Sequence, residues 1–162
     1  MEQYYGWFVF IHLIGLVLFA ISHGASAFIA FRIRQERDPR VIGSLLATSQ
    51  TATQTMYLGL LLLTLGGIAA ATSTGLWGKP WIIASVVVLL IVIFTMYAVA
   101  SPYYIQLRRG VGDGLGSGTE TSPVVTAAEL ETLLDTRRPD ILVAVGTIGL
   151  VVLVWLMVLK PG

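Results

Sequence analysis

The sequence contains no cysteine and few charged residues, and both shortages limit what the chain can be. Without cysteine it has no disulfide, no thiolate metal site and no iron–sulfur ligation. Charged residues make up 12% of the 162 positions, whereas soluble globular proteins carry roughly 25%. Because 56% of the residues are hydrophobic, the polar residues are too few to cover a water-exposed surface. The chain is therefore expected to lie partly in lipid, and its net charge of +1 gives no sign of nucleic-acid binding.

Carboxylates are missing from the long apolar runs. All nine Asp and Glu residues fall in predicted links or at predicted helix ends. A proton or cation pathway through a membrane normally uses acidic residues within the spans, so an autonomous pump or transporter is not expected. No acid pair is buried for acid–base chemistry either. The sequence thus predicts no catalytic residue and favours a protein that is not an enzyme.

Four long apolar runs are the main positive feature of the sequence. They cover residues 5–31, 41–71, 81–107 and 140–159. Each reaches the roughly 20 residues that a helix needs to cross about 30 Å of hydrocarbon. Helices satisfy every backbone polar group within one segment, as a spanning structure must. The sequence therefore predicts an all-α bundle of four transmembrane helices, forming one integral membrane domain in contact with the lipid bilayer.

Arginine and lysine are divided unevenly between the two sides of this bundle. The links after the first and third helices hold eight arginines: Arg32, Arg34, Arg37, Arg40, Arg108, Arg109, Arg137 and Arg138. The opposite side holds only Lys79 and Lys160. Because positive residues are retained in the cytoplasm, both termini are predicted to be extracytoplasmic, in a multi-pass protein of a bacterial-type inner (plasma) membrane. Six aromatic residues fall near the predicted outer interface: Tyr4, Tyr5, Trp7, Trp77, Trp81 and Trp155.

The link between the third and fourth helices has two parts. Residues 110–122 are rich in glycine and are predicted to be a flexible linker. A short amphipathic helix follows, beginning either at Pro123 or three to four residues later at the capping box Thr126–Glu129. Its apolar edge consists of Leu130, Leu133 and Leu134. It is expected to lie on the cytoplasmic surface or to dock on a partner subunit.

The second helix begins with a polar block at residues 48–55 that includes Gln50 and Gln54. Such hydroxyls and amides either join helices by hydrogen bonds or form a polar vestibule, and the sequence leaves both open.

The only two histidines, His12 and His23, lie inside the first apolar run. Eleven residues separate them, so on a helix they project from one face about 16 Å apart along the axis. Ionisable residues inside a membrane indicate a functional site by default. Imidazole ligates haem iron and copper, and the thioethers of Met56 and Met96 could supply further donors. The alternatives are a neutral imidazole that hydrogen-bonds a neighbouring helix and methionines that only fill space.

Several short motifs resemble those of a known group of membrane proteins. They are Phe10-Ile-His12-Leu-Ile-Gly15, Arg32-Ile-Arg34, Thr74-Gly75-Leu76-Trp77 and the final Trp155-Leu-Met-Val-Leu-Lys160-Pro161. In these the chain resembles the CopD-like membrane proteins, the family known as domain of unknown function 2269 and, more distantly, the HemJ-type protoporphyrinogen oxidases. The resemblance implies a four-helix membrane bundle with His12 as a haem or copper ligand. The chain departs from the HemJ pattern because it lacks a lysine within a helix.

Two functions of different class remain open from the sequence. One is a site for b-type haem or copper that uses His12, His23 or both, with Met56 and Met96 as weaker metal-ligand candidates, for electron transfer or metal handling. The other is a non-enzymatic accessory subunit of a larger respiratory or photosynthetic membrane complex. A homodimer would bring two histidine faces together and increase the number of imidazole ligands.

Overall fold

The computed structural model describes residues 2–111 and 126–161, and within these ranges the chain forms helices and no strand. The elements are α1 (Tyr5–Gln35), α2 (Pro39–Ser73), α3 (Pro80–Gly110), α4 (Ala127–Leu134) and α5 (Arg138–Leu159). Single-turn 3-10 helices cover Glu2–Tyr4 and Leu76–Gly78. Helices α1, α2 and α3 and the segment Ala128–Leu159 are long and apolar enough to cross a membrane. The predicted all-α fold with four spans is confirmed.

The long helices extend past the apolar runs at several ends. α1 continues through Arg32 and Arg34 to Gln35, and α3 passes through Pro102 to Gly110. Hydropathy marks where the lipid ends, whereas the backbone hydrogen bonds of a helix continue into water. Of the predicted linker 110–122, Gly110 is the last residue of α3, and residues 112–122 lie outside the described residues, as does Pro123.

Helices α1 and α2 pack closely through three glycines. A Cβ atom at Gly15 would overlap the backbone of Leu63, and one at Gly59 would lie 2.6 Å from the backbone nitrogen of Phe19. A Cβ at Gly66 would lie 2.6 Å from the backbone nitrogen of His12. Small residues at such points let two helices approach within backbone contact, which compensates for the absence of a hydrophobic driving force in lipid. We call this contact the glycine seam.

Helices α3 and α5 form the second close pair, in which Val92 fills the space above Gly149. The two pairs are joined mainly through α1 and α5, where the His23 ring sits on Gly146. Among the described residues, α2 packs along α1 but not along α3 or α5. The bundle is thus two helix pairs with a space between them.

A cluster of packed side chains lies near each end of this space. At the end that carries all four tryptophans (the tryptophan end), Ala71, Trp81 and Ile82 form a buried cluster. At the opposite end, which carries the eight arginines (the arginine end), a larger buried cluster draws on four helices. Its members are Ile29, Ile33, Ile42, Leu46, Tyr103, Leu107, Leu130 and Leu134.

Helix α4 belongs to the arginine end. It begins at Ala127 because the Thr126–Glu129 capping box satisfies its first turn. Leu130 and Leu134 are buried in the cluster of the arginine end, so this helix packs its apolar edge on the bundle itself. A salt bridge of 2.8 Å between Arg34 and Asp140 joins α1 to α5 nearby.

Candidate functional site

The space between the two helix pairs is a cavity of about 750 Å³. Ligand pockets in proteins typically measure about 300–1,000 Å³, so the cavity is large enough for a cofactor. Its walls are mainly aliphatic and aromatic. His12, His23, Met56 and Met96, the four side chains that the sequence singled out, all line it. The fold thus brings these residues to one cavity, although not to one point within it.

His12 is held by α2. Its Nδ1 lies 2.7 Å from the carbonyl oxygen of Leu63. Because a carbonyl only accepts hydrogen bonds, Nδ1 carries a proton in this bond, and in the neutral imidazole it is Nε2 that keeps a lone pair. The ring rests against Gly67, where a Cβ would lie 3.0 Å from Nδ1 and 3.2 Å from Cε1. The bare backbone of Gly67 therefore provides the room that the ring needs, and Nε2 is the nitrogen farther from α2.

His23 is held on a different helix. Its ring stacks on Phe19, with centroids 6.1 Å apart and planes inclined by 8°, and it hydrogen-bonds with the backbone of Val143. A Cβ at Gly146 would overlap Cε1 and Nε2 of the ring. The side chain is only 8% exposed, and its Nε2 is buried without a hydrogen-bond partner. His23 therefore fills a notch in α5, and its free nitrogen is covered by the Gly146 backbone.

The two methionines line the middle of the cavity. Val92 of α3 packs on Gly149 of α5, and these two helices are antiparallel. Met96, one turn further along α3, therefore lies near the depth of Gly146. The His23 ring packs on Gly146, so Met96 is near the depth of His23 as well. Met56 is seven residues from Leu63 along α2, which is about 10 Å of helix. Neither thioether is thus at the depth of His12.

A cation lines each end of the cavity. At the arginine end, Arg108 donates to Gln50 Oε1 at 2.9 Å and to the Leu46 carbonyl at 3.2 Å. At the tryptophan end, the Lys160 ammonium lies 5.7 Å from the centroid of the Trp81 ring. The cavity therefore has an apolar middle and two positively charged ends.

The polar block of α2 divides into two kinds of contact. The hydroxyls of Thr48, Thr51, Thr53 and Thr55 all donate to carbonyls one turn earlier in α2. Gln50 instead accepts from Arg108 and joins α2 to α3. The sequence left open whether this block hydrogen-bonds neighbouring helices or forms a polar vestibule. The structure supports an interhelical hydrogen bond at Gln50. Gln50 and Thr53 also line the cavity.

The positions of the imidazoles limit the metal chemistry of the site. His12 and His23 are eleven residues apart, about 16 Å along α1, and each ring packs on a different neighbouring helix. One ion therefore cannot use both. Within residues 2–111 and 126–161, no group of three or more His, Cys, Asp and Glu side chains converges on a point. What the site offers is one imidazole, held by a hydrogen bond to α2, beside a large apolar volume.

A second cavity, of about 830 Å³, lies between α1 and α4 at the arginine end. Arg34, Arg37, Glu131 and Asp135 line it, so its walls carry both signs of charge. It contains neither a histidine nor a methionine and is separate from the candidate site.

Comparison with protein-family models matches residues 7–161 to a family described as predicted integral membrane proteins, DUF2269. The chain belongs to the DUF2269 family. This match does not extend to the CopD-like or HemJ-type proteins, so that part of the resemblance is not shown. No curated protein and no solved structure matches the chain.

In this DUF2269 protein, sequence reasoning found the two histidines but not the groups that hold them. The Leu63 carbonyl is a backbone group, and no side-chain pattern could indicate it. The adjacent glycines Gly66 and Gly67 were a usable signal, because two glycines inside an apolar helix indicate close contact with a neighbour. Arg108 and Lys160 were counted only as charges that set topology, whereas both also line the cavity of the DUF2269 chain.

Proposed function

We propose that this protein binds b-type haem within the bundle, that His12 would hold its iron, and that the protein serves electron transfer in the membrane. The observation that supports this most is the hydrogen bond from His12 Nδ1 to the Leu63 carbonyl. Histidines that ligate metals almost always donate their second ring nitrogen to a carbonyl or carboxylate, which fixes the tautomer and the ring orientation. His12 has this arrangement next to a cavity of cofactor size.

Haem fits these residues better than a copper ion does. Copper would need several protein donors around one point, whereas neither thioether is at the depth of His12 and the Nε2 atom of His23 is covered. A macrocycle supplies its own equatorial nitrogens, so one protein imidazole is sufficient to hold the iron. Its apolar faces suit aliphatic and aromatic walls. Its carboxylate side chains would be balanced by a cation such as Lys160, which lines the same cavity at the tryptophan end.

The residues around the cavity have different roles in this proposal. Leu63 keeps the proton on His12 Nδ1, and Gly67 leaves the space in which the ring is oriented. The apolar walls keep water from the site, and Met56 and Met96 belong to those walls. We assign His23 to the contact between α1 and α5, because the Gly146 backbone covers its Nε2. When bound, a b-type haem supplies reversible one-electron transfer.

Titration of the detergent-purified protein with haemin, followed by the Soret band, tests the proposal. We expect saturable binding by the natural sequence and a loss of affinity of at least about 10-fold in His12→Ala, since the iron loses its ligand. His23→Ala is the matched control, because it removes an imidazole from the same face and should bind haemin within a few-fold of the natural protein. Equal binding by His12→Ala would contradict the assignment.

Metal analysis of the same preparations separates the alternatives. Bound copper without a Soret band would replace haem by copper as the cofactor. A protein that holds neither and binds no haemin would contradict the proposal and would favour the accessory-subunit function.

A further inference from the structure

The cavity has an opening along its side, between α2 and α3. These two helices meet at the tryptophan end, around Trp81, and at the arginine end, where Arg108 bonds to Gln50. Between the ends, α2 packs on α1 and α3 packs on α5, and α2 and α3 are not packed on each other. The side chains along this gap are Met56, Tyr57 and Leu60 on α2 and Leu89, Ile93 and Met96 on α3, and all six line the cavity. We call these six residues the waist.

The waist lies at the depth of hydrocarbon. The outward-facing residues beside it are large and apolar: Leu58 and Leu61 on α2 are 51% and 53% exposed, and Leu90 and Phe94 on α3 are 52% and 75% exposed. Such residues in the middle of long apolar helices face lipid chains and not water. The opening at the waist therefore faces the interior of the bilayer.

Side chains at the two ends of the cavity, among the residues that the structure describes, are more tightly packed than those along the waist. At the arginine end, Leu46 and Leu107 are 0% exposed and Tyr103 is 2% exposed. At the tryptophan end, Ala71 and Trp81 are 4% and 7% exposed. Trp77, which is 46% exposed, also lines the cavity at the tryptophan end. Along the waist, a molecule dissolved in the membrane meets a gap between two helices.

We infer that the waist is a lateral entrance through which the cavity takes its ligand from the bilayer. This inference rests on the proposed function, since its occupant is the haem of that proposal. A b-type haem has the required chemistry: an apolar macrocycle that partitions into lipid, with carboxylates that complement the positive charge of Lys160 at the tryptophan end. The waist thus defines the ligand class as a membrane-soluble organic anion.

Photolabelling tests the entrance without any cofactor. The natural protein in phosphatidylcholine vesicles is irradiated with an apolar diazirine dissolved in the bilayer, and labelled residues are mapped by mass spectrometry. We expect label on the inward-facing Leu89 and Met96 as well as on the lipid-facing Phe94. Leu46 and Leu107, equally apolar but fully packed, are the negative controls and should remain unlabelled. Label on Phe94 with none on Leu89 and Met96 would overturn the inference.

Cross-linking α2 to α3 at the waist tests whether the ligand enters there. Because the chain has no native cysteine, Tyr57→Cys/Ile93→Cys can be joined across the waist by a flexible bis-maleimide. We expect haemin uptake from vesicles to be at least tenfold slower after bridging than in the same double variant before the reagent is added. Leu90→Cys/Phe94→Cys, bridged within α3 on the lipid face, is the matched control and should not slow uptake.

The outcomes distinguish the two claims. Uptake at the natural rate in the bridged waist variant would overturn the lateral entrance while leaving haem binding intact. Absence of a Soret band in every variant would contradict the proposed function, and the photolabelling result would still decide whether the waist is open to lipid.

Discussion

At the scale of single residues, glycines determine where the two imidazoles lie. Both histidines project from one face of α1, yet His12 rests on Gly67 of α2 and His23 on Gly146 of α5. Each ring occupies the volume that a side chain would otherwise fill. Two residues that look equivalent in the sequence therefore have different surroundings: His12 keeps a nitrogen available at the cavity, and the nitrogen of His23 is covered.

Gly67→Ala tests the support of His12. The added methyl would lie 3.0 Å from Nδ1, so the ring must shift and its bond to the Leu63 carbonyl must weaken. Loss of such a supporting contact typically lowers metal affinity by about 10- to 100-fold, and we expect a similar fall in haemin affinity. Gly43→Ala, in the same helix with open space around it, should leave the affinity unchanged. An unchanged affinity in Gly67→Ala would show that the ring position does not matter.

Gly146→Ala tests the notch that holds His23. The methyl would overlap the imidazole, and overpacking of this kind costs roughly 1–3 kcal/mol. A double-mutant cycle with His23→Ala, measured by thermal unfolding in detergent, should show strong coupling, because the smaller side chain makes room for the methyl. Additive effects of the two substitutions would mean that the ring and Gly146 do not contact each other.

The two histidines of the candidate site could be predicted from the sequence, whereas the groups that contact them could not. Charge-free surroundings and an eleven-residue spacing identified the pair His12 and His23. The sequence could not show which helix each ring contacts, because this depends on the register between helices. A carbonyl such as that of Leu63 is present in every residue and becomes a specific partner only when the fold turns it toward a donor.

At the scale of helices, the glycine seam fixes how closely α1 and α2 approach. The closest neighbours of Gly15 and Gly59 are backbone atoms of the facing helix, so neither site can yield by a side-chain rotation. The separation of this pair also sets the hydrogen bond between His12 and Leu63. Stability and site geometry therefore depend on the same contact.

Gly15→Ala should destabilise the α1–α2 pair. The methyl would overlap the Leu63 backbone, so the helices must move apart, at a cost of roughly 1–3 kcal/mol. Thermal unfolding in detergent, followed by helical circular dichroism, measures this cost. Gly24→Ala, also within α1 but with nothing near its Cβ, is the control for the gain in helix propensity and should not destabilise. Equal unfolding temperatures for the two variants would contradict the seam.

The turn between α1 and α2 should respond to acid. The backbone N–H groups of Arg37 and Asp38 donate to Glu36 Oε1 at 2.9 and 3.2 Å, and they lower the pKa of the Glu36 carboxyl below its usual 4.5. A group with a lowered folded pKa contributes order that is present above the unfolded value and is lost as the pH falls through the folded value. We expect the amide signals of Arg37 and Asp38 to titrate with a midpoint below 4.5, as measured by nuclear magnetic resonance in detergent. Glu36→Gln should abolish this titration, whereas Glu131→Gln should not change it, and a midpoint above 4.5 would contradict the contact.

The helices themselves were well predicted, because span length and hydropathy follow from the thickness of the bilayer. The ends were less so: α1 and α3 continue for several residues past the last apolar position, where helical hydrogen bonds no longer depend on lipid. The polar block of α2 was not resolved by the sequence either. Its threonines bond within their own helix, and only the partner Arg108, 58 residues away, distinguishes Gln50 from them.

At the scale of the whole molecule, the described residues form two helix pairs joined along α1 and α5, with a packed cluster near each end. This arrangement was not predictable from composition, because apolar spans of similar hydropathy pack equally well in several orders. It arises from where the small residues lie: Gly15, Gly59 and Gly66 pair α1 with α2, and Gly149 pairs α3 with α5. The unpaired sides of α2 and α3 leave the cavity and the waist between them.

The orientation of the bundle is a further prediction at this scale. Eight arginines at one end against Lys79 and Lys160 at the other place the arginine end in the cytoplasm by the positive-inside rule. Single cysteines at Gln3, Lys79 and Gln35 can be tested in intact cells with a membrane-impermeant thiol reagent. We expect Gln3→Cys and Lys79→Cys to react from outside and Gln35→Cys to react only after permeabilisation. The opposite pattern would reverse the assignment.

The most direct test of His12 as the haem ligand is chemical rescue. In His12→Gly the imidazole is removed and its volume is left empty, so free imidazole added to the solution can occupy the vacated site. We predict that His12→Gly binds haemin weakly and that added imidazole restores its Soret band, whereas His23→Ala holds haemin without added imidazole. A Soret band in His12→Gly that equals that of the natural protein without imidazole, or one that imidazole fails to restore, would contradict the proposal.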